Sequence, residues 1–205
     1  MKVFVAGAHG QVGQHLVARL LDNDDTVIGG YRDPSRQAGP STAEFTPVAF
    51  DLTAPVATLA QAMAGAEAVI FAAGSQGKDL LAVDLDGAVK TMEAAAANGI
   101  SRFILLSAFA ADDRTQWPAP LTNYYIAKHY ADEWLRHRTT LDYVIVQPTT
   151  LTNAPAAGTI SLAPAHATEI SRADVATVLA ASLVADLHRE TLKITGGSIP
   201  IAQAF

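Results

Sequence analysis

A tyrosine and a lysine four residues apart, Tyr124 and Lys128 in TNYYIAKHYADEWL (Thr122 to Leu135), are the residues of this chain best suited to move a proton. Residues at that spacing share one face of a helix, so both side chains can point at one site. A phenol with a reference pKa of about 10 is a poor base at neutral pH, and an ammonium beside it lowers that value. Tyr125 is the neighbouring alternative, but the residue four positions on is His129, so only Tyr124 fits the pair. The same stretch also reads as an amphipathic helix whose Tyr125, Trp134 and Leu135 pack into a core.

The second chemical signal is GAHGQVG, with Gly7, Gly10 and Gly13 in a G-x-x-G-x-x-G spacing. It follows a strand-like run and opens a helical one, the context that gives such a motif meaning. Glycine is needed where the backbone turns tightly and where a pyrophosphate must approach without meeting a Cβ. The helix start then offers free N–H groups and a positive dipole end. The turn as a whole, Gly7, His9, Gly10, Gln11, Val12 and Gly13, is therefore the expected cofactor-binding loop. His9 counts as a loop contact, because nothing near it in sequence suggests a partner for a base or a metal ligand.

Strands and helices must alternate to position these residues. KVFVAG is followed by a helical pattern from Gln11 to Leu21, then by strand candidates DTVIGGY and AEFTPVAF. A helix runs from Pro55 to Ala64, AEAVIFAAG is a continuously apolar strand, and Lys78 to Ala97 is a long helix stopped by Asn98 and Gly99. SRFILLSA, the Tyr/Lys helix, LDYVIVQP, the helix SRADVATVLAASLVA and the strand TLKITG complete the pattern, with Thr149 to Thr168 the loosest region. The alternation predicts an α/β fold, a doubly wound parallel sheet of Rossmann type. One domain over residues 1–205 is expected, with only a minimal C-terminal substrate part.

Composition narrows the partners. Half of the 205 residues are hydrophobic and 17% are charged, which suits a folded globular chain. A net charge of −6 argues against nucleic acid, which needs a basic surface. There is no cysteine, so disulfides and thiolate zinc sites are excluded. His15, His137, His166 and His188 are scattered, with no carboxylate at ligand spacing, and no metal site is expected. No apolar run reaches membrane-spanning length, and the N-terminal run is too short for a signal peptide, so no membrane association and a cytoplasmic setting are expected.

At the end of the second strand candidate, where a NAD-type site uses an acidic residue, the chain places Tyr31 and Arg32, with Ser35 and Arg36 following. A guanidinium suits a 2′-phosphate through bidentate charge-assisted bonds. NADP(H) is thus the preferred cofactor and NAD(H) the alternative. Asp33 complicates the reading, since it can pair with Arg32 or accept from a ribose.

GAHGQVG, YRDPSR, FDLT, FAAGS, VDLDGAVKTMEAAAANGISRFILLSA and YYIAK, with VIVQPTTL and ISRADVA, together resemble the short-chain dehydrogenase/reductases. The similarity is to the small atypical members, the NAD(P)H-binding, NmrA-like and flavin/biliverdin reductase-like group, and runs from Val3 to about Gly197. It implies that Lys128 tunes Tyr124 and holds the nicotinamide ribose, and that Ser107, 17 residues before Tyr124, polarises a carbonyl. It also implies Asp51 and Leu52 beside the adenine, Ala72, Ala73 and Gly74 along the adenosine ribose, and Pro148, Thr149 and Leu151 near the carboxamide. The family commonly has Arg before this proline and Gly after it, where this chain has Gln147 and Thr149.

Three functions follow from that resemblance: an NADP(H)-dependent oxidoreductase acting on a small carbonyl, quinone or flavin-like molecule, a non-catalytic NADP(H)-binding redox sensor, and a sugar-nucleotide epimerase or dehydratase. The partner in the first is a small-molecule substrate, expected between Ser75 to Lys78, Phe109 to Pro120 and Thr152 to Ala167; the oligomeric state is open. Arg172 and Asp174 read as a structural pair at a helix start, and Asp84 and Asp86 as solvated or capping residues on the long helix.

Overall fold

Val3 and Val5 face one side of the first strand while Phe4 and Ala6 face the other, and all four are fully buried. A strand apolar on both sides needs cover on both, and that requirement organises the fold. The computed structural model describes residues 1–35, 39–164 and 168–205. Its strands are β1 (Lys2–Ala6), β2 (Thr26–Tyr31), β3 (Phe45–Ala49), β4 (Ala68–Phe71), β5 (Arg102–Leu106), β6 (Asp142–Pro148), β7 (Thr150–Thr152), β8 (Thr159–Leu162), β9 (Glu169–Ser171), β10 (Glu190–Gly196) and β11 (Ile199–Pro200). The helices are α1 (Gln11–Asp22), α2 (Val56–Ala62), α3 (Asp86–Ala97), α4 (Thr122–Arg138) and α5 (Arg172–Ala181).

The main sheet has the order β11-β8-β10-β6-β5-β4-β1-β2-β3 and is parallel from β10 to β3. Leu16, Val17 and Leu20 of α1 join Val175, Val178 and Leu179 of α5 on one face. Leu59 and Met63, Met92 of α3 and Leu135 of α4 cover the other. This is the doubly wound, Rossmann-type arrangement.

Two expectations need correction. The loose stretch from Thr149 to Thr168 contains β7 and β8, and β8 pairs antiparallel with β10 and β11. Its short strands, interrupted by Pro and Gly, carry no periodicity long enough to read, and the sheet supplies their partners. The helix expected from Lys78 begins instead as a π-helical segment, Leu80–Leu85, with Asp79 Oδ1 accepting from Ala82 N at 3.2 Å. The wider turn brings Asp84 inward while α3 keeps Ala88 and Met92 against the sheet. Asp84 is therefore not solvated; it is 2% exposed.

Candidate active site

The sheet reverses its strand order between β1 and β4, and the loops at the carboxyl ends of the strands open there into a cleft of about 420 Å³. Gly7, His9, Gly10, Gln11 and Val12 line its floor; Arg32, Asp51 and Leu52 line one end; Ala72, Ala73 and Gly74 form a wall. Ser107, Tyr124, Lys128 and Leu151 line the other end. These residues, spread over most of the chain, converge on one surface.

The glycines have separate jobs. Gly7 has φ +84°, and a Cβ there would lie 2.7 Å from Ala73 Cα. A Cβ on Gly13 would lie 2.1 Å from Gly7 O, so Gly13 packs α1 under the turn and does not line the cleft. At Gly10 a Cβ would have protein neighbours only at Gly7 O, 3.1 Å, and Ala72 O, 3.8 Å; what it would fill is the cleft. The first turn of α1 has no acidic residue, and its N–H groups and positive dipole end suit a pyrophosphate. The cradle fits a dinucleotide.

At the far end of the floor, Asp33 Oδ1 accepts from Ser35 N at 3.1 Å and from the Ser35 hydroxyl at 2.6 Å, closing its own turn. Arg32 lines the cleft. The Asp51 carboxyl is held low by bonds from the Thr53 backbone and hydroxyl, with the charges of Arg32 and Lys90 contributing. Arg36 and His166 lie outside the described residues.

The chemical end is buried and polar. Ser107 directly follows β5 and is 3% exposed; Lys128 is 5% exposed, rare for a lysine. Lys128 Nζ donates to Leu106 O at 3.1 Å and sits 5.8 Å from the centroid of the Tyr124 ring. Burial pushes the lysine down, while Asp84 and Asp132 pull it back up. The electrostatics of Tyr124 differ from the sequence expectation: burial, reinforced by Asp84 and Asp132, pushes its hydroxyl up. Tyr124 is thus a neutral phenol.

Three further residues belong here: Asp84 and Arg172, which sequence reasoning gave other roles, and Asp132, which it passed over. Asp84 lines the cleft and its Oδ2 accepts from Ser75 N at 2.9 Å. Asp132 Oδ2 accepts from Ser107 Oγ and from Gln147 Nε2, both at 2.9 Å. Asp132 continues the four-residue spacing from Tyr124 through Lys128, a signal that was present in the sequence. Arg172 also lines the cleft, donating to Leu151 O and Asn153 Oδ1. It does not pair with Asp174, which accepts from Ala157 N, Gly158 N and the Ser171 hydroxyl.

Other expected residues lie elsewhere. Pro148 is held in the sheet opposite Ile194, and the Thr149 hydroxyl meets that of Thr195 at 2.7 Å; neither lines the cleft. Of the expected substrate loops, Gln76 reaches the cleft among the described residues, while Trp117 stacks on Tyr125 and packs against His129.

The sequence profile of a family described as NAD(P)H-binding matches residues 7–186. A Bacillus subtilis (strain 168) protein named as an uncharacterized sugar epimerase, YhfK, is 42% identical, over 100% of this chain and 99% of that one. The crystal structure of the oxidoreductase ylbE from Lactococcus lactis is 34% identical with a TM-score of 0.95, covering 100% of this chain and 94% of that one. A short-chain dehydrogenase/reductase from Veillonella parvula DSM 2008, solved in complex with NADP, shares the fold at 22% identity and a TM-score of 0.79, over 97% of this chain and 96% of that one.

Proposed function

The chain belongs to the NAD(P)H-binding family, and from that premise we propose an NADP(H)-dependent oxidoreductase that reduces a small carbonyl, quinone or flavin-like acceptor. One observation carries the reading: Ser107, Tyr124 and Lys128 line the same cleft as the glycine turn. A shell that only bound cofactor would have no need of a half-buried phenol beside a buried lysine and serine there.

Bound NADP(H) supplies a hydride from its nicotinamide carbon. In this reading Gly7, Gly10 and the N–H groups of Gln11 and Val12 hold the pyrophosphate, with His9 beside it. Arg32 takes the 2′-phosphate, Asp51 and Leu52 flank the adenine, and Ala72, Ala73 and Gly74 follow the ribose. Tyr124, kept neutral by its surroundings, gives its proton to the substrate oxygen. Lys128 holds the nicotinamide ribose, and Ser107 orients the substrate oxygen. Leu151 closes the carboxamide end.

The epimerase name borne by the Bacillus subtilis relative supports a second reading, isomerisation of a sugar-type substrate by the same residues. Isomerisation leaves no net change in the cofactor's redox state, which separates the two. The test is NADPH oxidation screened over aldehydes, ketones, quinones and flavins. Stoichiometric oxidation with one of these acceptors is expected; tight NADPH binding with no oxidation by any of them would overturn the oxidoreductase reading in favour of the isomerase or the sensor.

A further inference from the structure

Ser107 has one hydrogen, and in this structure the hydrogen is spent. Its Oγ donates to Asp132 Oδ2 at 2.9 Å, and a hydroxyl that donates inward presents only lone pairs to the cleft. A serine in that state accepts from a substrate alcohol but has nothing to give a carbonyl oxygen. An ionised carboxylate can only accept, so Asp132 must gain a proton before the bond can reverse. Its Oδ2 would then donate to Ser107 Oγ while still accepting from Gln147 Nε2, and the serine hydrogen would be free to face the cleft.

The surroundings favour that gain. Asp132 is 1% exposed and Gln147 is fully buried, so both are cut off from bulk solvent. Asp132 Oδ1 and Gln147 Oε1 are both acceptors, and among the described residues neither meets a protein donor. The cluster holds more acceptors than hydrogens. The groups facing it are Tyr124, Lys128 and Arg136 from its own helix, Ser107 just after β5 and Gln147 from β6, with Asp84 of the π-helical segment acting on Tyr124 and Lys128. We propose that Asp132 is a positioning residue for Ser107, its protonation deciding whether the serine hydrogen points into the protein or toward the substrate oxygen. Burial pushes the Asp132 carboxyl up to about 6, against the opposing pull of the Ser107 and Gln147 bonds and the charges of Arg136 and Lys128, so the reversal falls within an accessible range.

The proposal rests on the oxidoreductase reading for the carbonyl substrate, and two measurements keep the two apart. In single-turnover reduction of a carbonyl by NADPH, the rate of the parent falls as pH rises through about 6. The loss is roughly tenfold or more, as for other donors to a developing oxyanion. Asp132→Asn offers an amide donor in place of the protonated acid, so the step disappears and reduction persists at neutral pH. A profile that keeps the same step in Asp132→Asn overturns the proposal. Independently, the Asp132 carboxyl is titrated by carbon-13 NMR in cofactor-free protein and assigned by its loss in Asp132→Asn. Ser107→Ala removes a donor to the carboxylate and should raise the midpoint by about one pH unit. An unmoved midpoint overturns the proposal even if turnover is normal. A raised midpoint in a protein that never oxidises NADPH supports the coupling and overturns the oxidoreductase reading instead.

Discussion

Tyr124 is protonated because the site makes its anion costly, and this decides what it can contribute. On the proposed reading, hydride delivery to a carbonyl would leave an alkoxide needing a proton, and a neutral phenol would supply it. Tyr124→Phe should slow single-turnover carbonyl reduction by about 10²–10⁴ while leaving NADPH affinity nearly intact. Lys128→Ala should damage both. Tyr125→Phe is the control, since that ring stacks on Trp117 and stays away from the cleft; equal losses from the two tyrosines would sink the assignment. The proposed reading gives Arg32 the cofactor preference: NADPH should bind more tightly than NADH, and Arg32→Ala should erase most of the roughly ten- to hundredfold difference. Equal affinities in the parent would refute it. Asp132 gives the fold its own pH dependence. Its value of about 6 lies above the ordinary 3.8, so between them the folded chain keeps a proton that the unfolded chain releases. Stability from this group is full below about 4 and is lost as pH rises through 6. The thermal midpoint should fall across that window in the parent and fall less in Asp132→Asn; identical curves would remove Asp132 from the account.

Among elements, the turn between β1 and α1 separates binding from folding within a few residues. At Gly10 a side chain would enter the cleft, whereas at Gly13 it would collide with the backbone of Gly7. Gly10→Val should therefore weaken NADPH binding by roughly tenfold or more with thermal unfolding in cofactor-free buffer little changed. Gly13→Ala should instead lower stability by about 1–3 kcal/mol, because the helix must move off the turn. Normal NADPH binding by Gly10→Val would show that the turn is merely structural. The π-helical segment is a second such device: an ordinary α-helix over the same residues would rotate Asp84 to a different direction.

Across the whole molecule, the sheet divides its labour between its two ends. The candidate site lies at the carboxyl ends of the strands, while Arg102, opening β5 at the other end, ties the fold together. Its guanidinium bonds Asp142 at 2.9 Å, Leu187 O at 2.7 Å and Ser182 O, joining β5, β6 and the chain after α5. Arg102→Met should cost about 2–4 kcal/mol in urea unfolding by taking this donor from the Leu187 and Ser182 carbonyls and leaving Asp142 to His188 alone. NADPH affinity should not change, and a parallel loss of affinity would contradict the separation. Among the described residues no helix is long and apolar enough to cross a membrane.

The alternation of strand and helix, the glycine turn and the Tyr124–Lys128 spacing were all written locally, and the sequence by itself determined them. Each depends on a period or spacing within one element: two along a strand, four along a helix, three between turn glycines. The antiparallel edge, the inward turn of Asp84 and the Ser107–Asp132–Gln147 cluster were decided only in three dimensions. Ser107 and Asp132 are 25 residues apart and belong to different elements, and no periodicity connects them. Asp132 showed its face of the helix but not its partner. Its burial, which raises its affinity for a proton, comes from the residues packed against it from other elements. The direction of the Tyr124 shift followed the same rule, because a neighbouring lysine is visible in sequence and the loss of water around both is not.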